Sequence, residues 1–224
     1  MSKSIRRHRV AILGSVAMVT LSAIARGQIE NVAIRAKDIT CEGCAFSIKA
    51  GLKKVEGIKS TSVDVKARTV RIEPEKGKIP SVPQIREMLD RIGFTPEETT
   101  IEMTGKVTTL ATTQNGSNAS ESRRLEALLR AGQRSGVEAL RKPVPTALLL
   151  RLDRPLAFVF LLPLPKKDSN APYTATRAMV GKTVALTGIV PPEPPAAEPK
   201  PDGKDVAAGF VAVYVTRAAA AQER

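Results

Sequence analysis

Along residues 29 to 103 the apolar side chains repeatedly change their spacing, and the order of those changes restricts the fold more than any other feature of the chain. Val32 and Ile34 alternate, as in a half-buried strand. Lys37 to Thr40 reads as a short loop. From Glu42 the period becomes helical, with Ala45, Ile48, Leu52 and Val55 on one face and Gly57 as the stop. Val63 and Val65 alternate again, Lys66-Ala67-Arg68 reads as a turn, and Val70 and Ile72 form a third strand pattern. Pro83 suits a first helical turn, and Ile85, Met88, Leu89 and Ile92 make a second amphipathic face that Gly93 closes. Ile101 and Met103 alternate in a last strand.

The resulting order, β-α-β-β-α-β, predicts an α+β, ferredoxin-like domain over residues 29–104, two helices on a four-stranded antiparallel sheet. Its charge is near balance, 13 cations against 12 acids over residues 29–103. Residues 105–120, rich in Thr, Asn, Ser and Gly, read as a linker. Beyond it, Leu125, Leu128, Leu129, Val137 and Leu140 fall in a helical pattern. Apolar runs at 147–152 and 156–162 then flank Asp153-Arg154-Pro155 like a hairpin. With a short helix near 172–180 and strands near 184–190 and 210–215, residues 121–217 predict a helix plus a small, mainly-β barrel. The phrase at 181–190 gives that barrel an OB-like character. Residues 191–204 read as a Pro-rich loop, and 218–224 as a flexible tail.

The first 25 residues read as a signal peptide. Lys3, Arg6, Arg7 and Arg9 precede a short apolar run from Val10 to Leu21, and Ala23-Ile24-Ala25 offers a small-residue cleavage site. The expected destination is the periplasm or cell envelope of a bacterium. Cleavage would remove His8, the only histidine, and lower the net charge from +13 to +9. Without histidine, Ser/His and Cys/His catalytic pairs and His-containing metal sites are excluded. The carboxylates are dispersed, so no acid/base pair stands out, and the chain is expected not to be an enzyme.

The residues that carry chemistry are Cys41 and Cys44, within Asp38-Ile39-Thr40-Cys41-Glu42-Gly43-Cys44. Thiolates are soft ligands that select ions such as Cu(I) and Hg(II), and two of them hold such an ion in near-linear geometry. Zn(II) prefers four ligands, and two Cys without His cannot close such a site in one molecule. Cys44 falls in the first helical turn, where unpaired N–H groups favour the thiolate. Other uses of a C-x-x-C pair stay open: a redox dithiol or a structural disulfide, both permitted in an oxidising compartment.

The T-C-x-x-C at the first strand–helix junction, Val55-Glu56-Gly57-Ile58 after the helix, and Ile92-Gly93-Phe94 near the end resemble the heavy-metal-associated domain. That family includes copper chaperones, N-terminal parts of soft-metal P-type ATPases and periplasmic mercury scavengers. The resemblance implies one bound soft ion, Cu(I) first and Hg(II) next, held by Cys41 and Cys44. It implies transfer to or from a thiol protein or soft-metal transporter by ligand exchange. It also implies that Ile39, where the family usually has Met, anchors the loop, and that Phe94 packs beside it. Thr40 either hydrogen-bonds within the loop or is an ordinary turn residue.

Residues 104–224 carry 17 cations and 10 acids. Stacking residues are scarce there: Phe158, Phe160, Tyr173, Phe210 and Tyr214, the first two in apolar runs. The expected partners therefore exclude nucleic acid. They include contact with an anionic envelope surface or acidic partner, and the expected state is a monomer. A third function stays open, an interaction module whose C-terminal part is the working end.

Overall fold

The computed structural model describes residues 27–153, 156–165, 170–191 and 212–221. The expected signal peptide, the Pro-rich loop beyond Pro191, Phe210 and the last three residues lie outside these.

The first six elements follow the expected order: β1 (Gln28–Ala36), α1 (Glu42–Leu52), β2 (Ile58–Asp64), β3 (Thr69–Pro74), α2 (Val82–Arg91) and β4 (Pro96–Thr109). The strands pair antiparallel in the order β2-β3-β1-β4. Val32 and Ile34 of β1, Ile72 of β3 and Ile101 of β4 are fully buried in one cluster with Ile48 and Leu52 of α1 and Ile85 and Leu89 of α2. Period-2 and period-3.6 apolar patterns have thus found each other across one sheet face. α1 ends at Leu52, earlier than expected, so Val55 and Gly57 belong to the turn that follows it.

The second half holds α3 (Leu110–Gly116), α4 (Ala119–Arg134), α5 (Glu138–Arg141), β5 (Leu148–Asp153), β6 (Leu156–Leu162), α6 (Ala171–Arg177), β7 (Thr183–Ile189) and β8 (Ala212–Ala220). The strand order continues β4-β5-β6-β8-β7, and β7 pairs back onto β4. Five strands therefore close into a ring. β6 and β8 run parallel, which requires the intervening crossover through α6 and β7.

β4 belongs to both sheets. Along one edge it pairs with β1 over Pro96–Thr104, then with β5 from Lys106 to Thr109. Along its other edge it pairs with β7 from Thr100 to Lys106. Gly105 sits where the partner changes. A Cβ there would lie 2.6 Å from the Arg151 carbonyl oxygen and 2.8 Å from Leu150 Cγ, so only glycine lets β5 approach so closely.

Three expectations require correction. Residues 105–120 are not a linker. They complete β4, form α3 and begin α4. The Thr and Asn that read as linker composition are caps: Thr109 accepts from the Thr112 N–H at 3.2 Å, and Asn118 forms a capping box with Glu121. Residues 29–104 and 121–217 are not separate domains either, because β4 and one apolar cluster span both. The tail is no tail up to Ala220, since β8 pairs Ala218–Ala220 with β7.

A second cluster lies outside the ring. Leu149, Phe158, Phe160 and Leu162 of β5 and β6 pack against Leu110, Leu125, Leu128 and Leu140 of α3, α4 and α5. Both faces of this hairpin are covered, which explains its continuous apolar runs.

Candidate metal centre

Cys41 is the N-cap of α1, in extended conformation at φ −142° and ψ 159°. Its Sγ accepts the Cys44 backbone N–H at 3.1 Å. The sulfur thus does what a Ser or Asp oxygen does at a helix start, satisfying an otherwise orphan donor. The Cα atoms of Cys41 and Cys44 lie 5.2 Å apart, and the two sulfurs are paired as a disulfide. Cys41 is exposed, whereas Cys44 is half-buried against the main core. One cysteine is thus open to solvent while the other is held by packing.

The loop before Cys41 is held from two sides. Ile39 is fully buried and anchors it in the core. Phe94 is 8% exposed and belongs to the same cluster as Ile39 and Cys44. Gly93 adopts φ 89° just past α2, and the Phe94 N–H donates to the Leu89 carbonyl at 2.9 Å, turning Phe94 inward. Thr40 is exposed and makes no side-chain hydrogen bond among the described residues, as an ordinary turn residue would.

Two residues that the sequence did not single out clamp this loop. The Thr95 N–H donates to Asp38 Oδ2 at 3.1 Å, and the Lys37 N–H donates to the Thr95 carbonyl at 3.2 Å. Hydrogen bonding from the Thr95 side chain and then from its backbone N–H, with smaller help from the charges of Lys37 and Arg68, holds the Asp38 carboxyl below its ordinary value. The only available signal was Asp at a strand–loop boundary, which many turns share. Arg86 ties α2 to β4, donating through Nη1 to the Glu97 carbonyl and through Nη2 to the Pro96 carbonyl at 3.0 and 3.1 Å.

Among the described residues, no group of three or more His, Cys, Asp or Glu could hold a metal ion. Local donors at the loop are therefore the two sulfurs, a set suited to a soft ion of low coordination number once reduced.

Residues 33–95, which carry this two-cysteine loop at the first helix of the βαββαβ sheet, match the heavy-metal-associated domain family. The match ends one residue before β4. A 53-residue stretch is 45% identical to heavy metal-associated isoprenylated plant protein 24 of Arabidopsis thaliana, over 22% of this chain and 35% of the relative. The chain thus spans about a third of that relative's length. Among solved structures, the CopZ metallochaperone is 16% identical and covers 30% of this chain and all of its own, with TM-score 0.28. Oxidised MerP from Ralstonia metallidurans CH34 is 21% identical over 31% of this chain and 96% of its own, also at TM-score 0.28.

Proposed function

We propose that this protein binds a soft metal ion between the thiolates of Cys41 and Cys44 and passes it to a partner by ligand exchange. The observation that carries this reading is the placement of both cysteines, 5.2 Å apart at Cα, on an exposed helix start clamped by Asp38 and Thr95. Cu(I) is the first choice of cargo and Hg(II) the second, because both accept two thiolates. The partner is a thiol protein or soft-metal transporter whose donor enters beside exposed Cys41, and the protein works as a monomer and not as an enzyme. The leader sequence supports export to the periplasm or envelope. Five strands closing into one ring support an OB-like reading of the barrel. Phe158 and Phe160 pack under the helices, which argues against nucleic acid as a partner.

Anaerobic titration of the reduced protein with Cu(I), against a competing chelator, tests the proposal. Wild type is expected to bind far more tightly than the Cys41→Ser/Cys44→Ser double variant, and equal affinities would refute it.

The paired sulfurs favour one second reading, an envelope thiol–disulfide protein. A reduction potential in the range of glutaredoxins or disulfide isomerase, roughly −230 to −180 mV, would support it.

A further inference from the structure

We infer that a groove between α5, the end of β6 and α6 binds a medium-chain carboxylate, an apolar body ending in an anionic head. The groove encloses about 650 Å³, within the range of small-ligand pockets, and shares no residue with the cysteine loop. Its floor is apolar: Phe160 and Leu162, 1% and 7% exposed, line it. Val144 stands at its side 59% exposed, an aliphatic surface facing water. Phe160 and Leu162 are already shielded, so Val144 is the side chain that an acyl chain would newly cover, with the usual hydrophobic stabilisation.

The rim selects the head. Arg141 and Lys142 line it, with Glu138 as the acid. Glu138 pairs with Arg141 at 3.2 Å, whereas Lys142 makes no ion pair among the described residues. Among the described lining residues the uncompensated charge is therefore positive. Tyr173 adds a phenol that burial pushes up, so it stays protonated and can donate to an anion. Small hydrated anions gain nothing from the apolar floor, and a neutral alcohol forgoes the charge at Lys142.

Calorimetric titration of the full chain with dodecanoate, and with dodecan-1-ol, tests this inference. Lys142→Glu and Val144→Glu change exposed positions, and thermal melts establish that both variants fold. Saturable one-site binding of dodecanoate is expected, weaker by about tenfold in Lys142→Glu and lost in Val144→Glu. Dodecan-1-ol should bind less tightly than dodecanoate. Absence of saturable dodecanoate binding would overturn the inference. So would wild-type affinity in both variants, or capture by anionic phospholipid vesicles that Val144→Glu leaves unchanged, since that would be adsorption to a charged surface.

Discussion

The Thr95 backbone N–H donates to the Asp38 carboxylate at 3.1 Å, bridging the loop that carries the cysteines to the loop that carries Phe94. Two segments far apart in sequence thereby become one support for the thiols. Removing the carboxylate leaves the cysteines in place and frees their loop. Asp38→Ala is expected to lower Cu(I) affinity several-fold with the fold intact, measured by chelator competition beside circular dichroism.

The same bond has a defined pH dependence. Hydrogen bonds from Thr95 depress the Asp38 value in the folded state, so the stabilisation is present above the ordinary value of 3.8. It is lost as pH falls through the depressed folded value. The Thr95 amide resonance should therefore hold constant from neutral pH to about 5 and move only in stronger acid. A midpoint above 3.8 would contradict the bridge.

Oxidation should gate the site completely. With the sulfurs paired, neither has a lone thiolate to give. Protein oxidised before titration is expected to bind no Cu(I), and reductant should restore binding in full. Retention of stoichiometric metal by the oxidised form would place the ligands elsewhere.

Gly105 is the joint between the two sheets. Gly105→Val places methyl groups where the Arg151 carbonyl and Leu150 already sit. The expected loss is about 1–3 kcal/mol, read by denaturant titration, with both halves affected because β4 runs through both. Leu128→Ala removes a buried side chain of the outer cluster and should cost about 2–5 kcal/mol.

Because β4 is shared, the full chain should unfold in one transition. A fragment ending at residue 107 exposes the β4 edge that β7 covers from Thr100 to Lys106. Such an unpaired edge recruits other strands, so the fragment is expected to self-associate where the full chain does not. Analytical ultracentrifugation of the two at equal concentration makes the comparison.

Much of the first half was readable without coordinates. Each helix and strand there announces itself by a local period, as in Ile48 and Leu52 or Val70 and Ile72, and the two cysteines lie within four residues of each other. The cap itself was not legible, because cysteine is not among the usual N-cap residues. Asp38 and Thr95 were not readable, because their bond joins loops that only the folded sheet brings together. Thr109 and Asn118 misled for a related reason: caps and linkers draw on the same small polar residues.

The order β-α-β-β-α-β and the soft-ligand pair at its first helix were thus determined by the sequence itself, through periodicity and the chemistry of two side chains. Whether β4 would end a small domain or carry on into a second sheet was decided only by tertiary structure. Strand pairing has no local signature for its partner, and the β7 residues that cover β4 come from the far end of the chain. The closed ring, the helices over its outer face and the clamp beneath the cysteines all arise from such distant pairings.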